Sequence, residues 1–127
     1  GMDDIEFYIQ NFKGIVVVDE AYIEFSGKKS CTELLDKYPN LIVLQTFSKA
    51  WGMAGTRVGI AYSSQEIIKL INTVKAPYNV NSLSLNKIVE IINKQEVVNS
   101  NIENTLNEIS WLKNEFQSVK CIKKIFN

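Results

Sequence analysis

Ile5, Tyr8, Ile9 and Phe12 recur at the spacing of one helical face, so the pattern predicts a short amphipathic helix over residues 5–12, ending near Gly14. Ile15-Val16-Val17-Val18 follows as an unbroken β-branched run closed by Asp19-Glu20. Apolar side chains on both faces describe a buried parallel strand. After a polar stretch containing Gly27, Ser30 with Glu33 three residues later has capping-box spacing and predicts a helix that stops before Tyr38-Pro39-Asn40. Leu41 to Leu44 reads as a second buried strand, and strand, helix, strand across residues 15–45 is a right-handed crossover. A third, shorter strand is predicted at Val58–Tyr62. Three helical patterns come next: Ile67, Ile68, Ile71 and Val74; then, past Ala76-Pro77-Tyr78-Asn79, Leu85, Ile88, Val89 and Ile92; then the long series Val98, Ile102, Leu106, Ile109, Leu112 and Phe116. Val119 to Phe126 alternates apolar residues with Lys120, Lys123 and Lys124, which predicts an exposed strand.

The order of elements predicts an α/β fold with a parallel sheet, whose functional loops lie at the carboxyl ends of the strands. Asp19 and Thr46 fall at such ends. Two or three strands leave bare sheet edges, so part of the domain is expected to come from elsewhere, from further chain or from a second copy.

Composition narrows the chemistry. The 127 residues carry 14 Lys plus Arg against 14 Asp plus Glu, a formal net charge of zero, which argues against nucleic acid or an anionic membrane as partner. There is no histidine, so imidazole metal sites and His-based catalysis are excluded. Cys31 and Cys121 show neither zinc-ligand nor disulfide-framework spacing, no metal site is indicated, and a reducing cytoplasm is expected. No apolar run is long enough to span a bilayer. No dinucleotide-binding or phosphate-loop glycine pattern supports a nucleotide-binding module.

The informative stretch is Thr46-Phe47-Ser48-Lys49-Ala50-Trp51-Gly52-Met53-Ala54-Gly55-Thr56-Arg57-Val58-Gly59. A lysine amine can condense with a carbonyl, hydroxyls and a guanidinium can hold a phosphate dianion, and glycines permit close backbone approach. That mixture suits a phosphorylated aldehyde. Upstream, Asp19 can meet a pyridinium N–H and Tyr22 a ring oxygen.

Val18-Asp19-Glu20-Ala21-Tyr22, with Ser48-Lys49 thirty residues beyond Asp19 and then Gly55-Thr56-Arg57-Val58-Gly59, resembles the fold-type I pyridoxal phosphate aminotransferases, and among them the histidinol-phosphate aminotransferase group. The resemblance implies a partial three-layer α/β/α large domain with parallel strands, ending before most of the small domain: residues 1–95 in the large domain, 96–127 as a long helix and the start of the small one. It implies Lys49 as the catalytic residue, holding pyridoxal 5'-phosphate covalently and moving the substrate's α-proton. Asp19 would pair with the ring nitrogen and Tyr22 with the ring oxygen, while Thr46, Ser48 and Arg57 would bind the phosphate. The implied reaction is transamination of a phosphorylated amino alcohol such as histidinol phosphate with 2-oxoglutarate. The implied partners are small amino and keto acids, and the implied assembly is a homo-oligomer, a dimer in this family. The family's substrate-carboxylate arginine has no counterpart, Arg57 being the chain's single arginine. These 127 residues are therefore expected to be incomplete and inactive alone. A threonine-phosphate decarboxylase of the same superfamily and a non-catalytic α/β fragment are the rival readings. Glu20 is expected to make a structural bond, and Trp51 to be a core aromatic.

Overall fold

The computed structural model describes residues 1–125. Helix α1 (Met2–Asn11) leads into strand β1 (Val16–Asp19) and a one-turn helix α2 (Ile23–Ser26). Strand β2 (Leu41–Thr46) and strand β3 (Gly59–Ser63) complete the sheet, and α3 (Gln65–Val74), α4 (Ser82–Ile92) and α5 (Gln95–Gln117) follow. Helix α1 stops short of Gly14 because Phe12 turns extended while its N–H still bonds Tyr8 O. The Ser30 signal produces only a 3₁₀ turn, Cys31–Leu34: the Ser30 hydroxyl accepts the Thr32 N–H, but Glu33 turns outward to Lys29. Ser64 and Asn81 cap α3 and α4 by accepting the N–H groups of Ile67 and Ser84.

The sheet order is β1-β2-β3, with β2 at the centre. β1 pairs parallel to β2, Asp19 standing beside Leu44. β3 runs antiparallel to β2, Thr46 facing Gly59, so the expectation of an all-parallel sheet is corrected to a mixed one. The reason is the connection: residues 47–58 hold only a 3₁₀ turn (Ala54–Thr56), and without a crossover helix the chain cannot return to the far end of β2.

β1 also differs from the buried strand expected. Val17 is 53% exposed and Ile15 is exposed too, because β1 is an edge strand covered on one face. On that face Val16 and Val18 pack with Met2, Ile5, Leu34, Leu35 and Tyr62 around a core of Ile9, Cys31, Tyr38, Leu41 and Val43. A second core, Phe47, Val58 and Ile88, is closed by Trp51, Met53, Ile60 and Val80. The predicted strand from Val119 does not form among the described residues. Val119 and Ile122 instead continue turn bonding from the end of α5, and Phe126 lies outside the described residues.

Candidate active site

Because β1 and β2 are parallel and β3 is reversed, the end of β1, the end of β2 and the start of β3 share one sheet edge. Period-two alternation then sorts the side chains. Asp19, Leu44 and Thr46 fall on one face; Val18, Glu20 and Gln45 fall on the other, toward the Cys31 core.

Asp19 is exposed and its Oδ1 accepts the Ala21 N–H at 3.0 Å, an Asx turn that bends the chain toward Tyr22. Tyr22, 60% exposed, precedes α2, and the Lys49 Nζ stands 5.3 Å from its ring centroid. This cation over an aromatic face joins the two sequence motifs in space. The Lys49 turn is held by Gly52 N–H to Lys49 O at 2.9 Å and Met53 N–H to Phe47 O at 2.8 Å. Gly52 adopts φ +68°, where a side chain would be strained.

Thr46 Oγ1 accepts the Ser48 N–H at 3.1 Å and donates to Val58 O at 3.4 Å, so this hydroxyl ties down both ends of the loop. Arg57 is exposed, with Nη1 donating to Ala54 O at 3.2 Å. It is the one non-glycine residue with positive φ among those described, at +56°. That conformation costs an L-residue about 1–2 kcal/mol, and such strain gathers at functional sites. Among the described residues, Asp19, Lys49 and Arg57 form no ion pair.

The structure does not gather all six predicted residues into one hollow. Asp19 and Tyr22 border a cavity of about 950 Å³ that reaches Met2, Ile5 and Tyr8 of α1. Thr46 borders a separate cavity of about 220 Å³ with Phe47, Trp51 and Ile60. Ser48, Lys49 and Arg57 lie outside both.

Sequence reasoning under-read two carboxylates. Glu20 is only 6% exposed and accepts from Ser30 Oγ at 2.6 Å, Cys31 N–H at 2.6 Å and Gln45 Nε2 at 3.0 Å. Burial pushes its carboxyl upward, but the Ser30, Cys31 and Gln45 donors outweigh it and hold the group below the ordinary glutamate value. Strand alternation was the available signal, since it turns Glu20 and Gln45 to the same face. Glu24 accepts from Trp51 Nε1 at 2.9 Å, a pairing that nothing in the sequence spacing discloses.

The class these features define is an α/β fold with a lysine, a carboxylate, a phenol and an arginine of left-handed backbone near the carboxyl ends of β1 and β2. The chain belongs to the aminotransferase class I and II family, whose model matches residues 3–119. A histidinol-phosphate aminotransferase of Cytophaga hutchinsonii is 41% identical over 124 residues, 98% of this chain and 36% of that protein. The chain thus spans about a third of the length of the curated relatives it matches. Among solved structures, a histidinol-phosphate aminotransferase from Sinorhizobium meliloti in complex with pyridoxal-5'-phosphate aligns over 73% of this chain and 26% of its own, with 25% identity and a TM-score of 0.66. A decarboxylase from Sulfurospirillum multivorans aligns over 94% of this chain and 37% of its own at 20% identity and a TM-score of 0.78, a likeness of fold alone.

Proposed function

We propose that this chain is the cofactor-holding part of a pyridoxal phosphate-dependent aminotransferase that moves the amino group of a phosphorylated amino alcohol, such as histidinol phosphate, to 2-oxoglutarate. The observation that carries the reading is the Lys49 amine against the Tyr22 ring, with Tyr22 three residues beyond Asp19 at the same sheet edge. The 41% identity to a histidinol-phosphate aminotransferase supports the substrate class and favours it over decarboxylation.

The donor set fits the cofactor by chemistry: an amine for its aldehyde, a carboxylate for its ring nitrogen, a phenol for its ring oxygen, and hydroxyls with a guanidinium for its phosphate. Lys49 would hold it, with Asp19, Tyr22, Thr46, Ser48 and Arg57 as its binding partners. When bound, pyridoxal phosphate supplies an electron sink for the charge left at the substrate α-carbon. Lys49 Nζ carries the α-proton away and returns it. The Asp19 carboxylate would pair with the ring nitrogen and favour a proton there. Tyr22 would donate its hydroxyl to the ring oxygen, and Arg57 would anchor the phosphate by charge-assisted bonds. In this reading residues 1–95 belong to the large domain and α5 opens the small one. The working protein is a cytoplasmic homo-oligomer that takes small amino and keto acids.

Incubation with pyridoxal phosphate followed by borohydride should add one pyridoxyl phosphate mass, located by peptide mapping at Lys49, and Lys49→Ala should abolish it. In the protein at its natural length, histidinol phosphate plus 2-oxoglutarate should yield glutamate. Labelling spread over several lysines, or carbon dioxide released from threonine phosphate without glutamate formation, would refute the reading.

A further inference from the structure

We propose that the Glu24–Trp51 hydrogen bond is a positioning clasp that sets Lys49 against Tyr22, an inference that rests on the functional reading above. Each clasp residue lies two positions beyond one of the residues it would place: Glu24 after Tyr22, Trp51 after Lys49. Among the described residues, the 2.9 Å bond from Trp51 Nε1 to Glu24 Oε1 is the only hydrogen bond joining segment 21–27 to segment 47–53. Both side chains are half-buried, so the bond is shielded on one side from competing water.

Each end of the clasp is fixed independently. Trp51 meets Phe47 edge-on, ring centroids 5.3 Å apart at 70°, and Phe47 is buried in the second core. Glu24 sits in the first turn of α2, whose preceding residue is Tyr22. Glu24 and Trp51 together form one wall of a cavity of about 420 Å³, the other wall being Val98 and Ile102 of α5. A rigid indole thus reaches from the lysine loop to the helix that Tyr22 opens. Without it, Lys49 and Tyr22 hang on separate turns, and the 5.3 Å contact has no polar tie to maintain it.

Even a half-buried indole N–H gains from a partner, so a purely structural role is the alternative to be separated. The test uses the protein at its natural length in the variants Trp51→Phe, Glu24→Ala, Glu24→Gln and the double Trp51→Phe/Glu24→Ala. Three quantities are read: the rate of borohydride-trapped pyridoxal phosphate labelling at Lys49, the dissociation rate of the loaded cofactor, and the melting temperature. Trp51→Phe keeps a ring against Phe47 but loses the donor together with part of the indole's bulk, which is why the Glu24 variants accompany it. Together with Glu24→Ala it should slow labelling about 5- to 10-fold and speed cofactor loss by a similar factor, the scale of one ordinary hydrogen bond lost. Glu24→Gln, whose amide oxygen still accepts, should restore both rates to within about twofold of the parent. The double variant should be no worse than either single, because both remove one bond. Labelling at the parental rate in Trp51→Phe and Glu24→Ala, with or without a lower melting temperature, overturns the clasp. So does Glu24→Gln behaving like Glu24→Ala, or additivity in the double variant. If Trp51→Phe fails to fold, the contrast between Glu24→Ala and Glu24→Gln decides alone. A parent that takes up no pyridoxal phosphate overturns the functional reading itself, a result separate from any ranking of variants.

Discussion

Replacing Glu20 by alanine tests how the sheet edge is held together. The carboxylate, 6% exposed, receives three donors: Ser30 Oγ, the Cys31 N–H and the Gln45 amide. In the alanine variant Ser30 can still bond Thr32 Oγ1, 2.8 Å away, so its loss counts little. The Gln45 amide likewise keeps Ser30 Oγ as an acceptor at 3.3 Å, which leaves the Cys31 N–H as the stranded donor. Stranding it costs about 1–3 kcal/mol, so Glu20→Ala should lose about 1–3 kcal/mol in urea unfolding followed by circular dichroism. That is a large share of the roughly 5–15 kcal/mol that keeps a domain folded. Glu20→Gln keeps an oxygen for the Cys31 N–H but places a second NH₂ near the Gln45 donor, and should lose about 1–2 kcal/mol. The pH dependence gives an independent check. The Glu20 pKa is held below the ordinary value of 4.5, so its stabilisation is complete above that value and disappears as pH falls through the lowered one. Glu20→Gln should therefore flatten the acid side of the stability profile. A Glu20→Ala loss under about 1 kcal/mol, or an acid limb identical in Glu20→Gln and parent, would refute this account.

Two more outcomes follow from burial. Leu41 is 0% exposed between two neighbouring strands, and Leu41→Ala should cost about 2–5 kcal/mol by the same assay; a change under about 1 kcal/mol would show that the core relaxes into the gap. Burial, and then the Glu20 carboxylate, pushes the Cys31 thiol up to about 11, whereas Cys121 is exposed. At pH 8 a disulfide reagent should therefore titrate one thiol per chain rapidly in the native protein and two in denaturant. Equal native rates would contradict the placement of Cys31.

The readable parts of the sequence were those where one short-range rule acts alone. The runs through Ile67 and Ile71, Ile88 and Ile92, and Val98 to Phe116 became α3, α4 and α5 because helical spacing of apolar residues suffices to specify them. β2 was equally legible over Leu41–Val43, which the central strand buries on both faces, whereas Leu44, expected to be buried, is 36% exposed on the face it shares with Asp19. β1 has the same composition but a different neighbourhood, which the run of valines does not encode. The reversal of β3 was available in principle, because twelve residues with no helical pattern between Thr46 and Gly59 cannot make a crossover. At the C-terminus, alternation at Val119 and Cys121 met no strand to pair with, and local turn bonds prevailed. The motif residues Asp19, Tyr22 and Lys49 were found by type and separation, and two of them meet in space. Trp51 was read only as a core aromatic and its bond to Glu24 was missed, because that bond depends on how two turns stack across the sheet edge.

The reversal of β3 makes residues 46–59 a handle with both feet on adjacent strands, Thr46 abreast of Gly59. The amine at one side of that handle and the guanidinium at the other cannot drift apart through strand slippage, since each foot registers the other. An inserted or deleted residue between them would displace both groups at once. Length variation should therefore be tolerated in the exposed bend at residues 26–29 and rejected here, even at sites whose own side chains touch nothing.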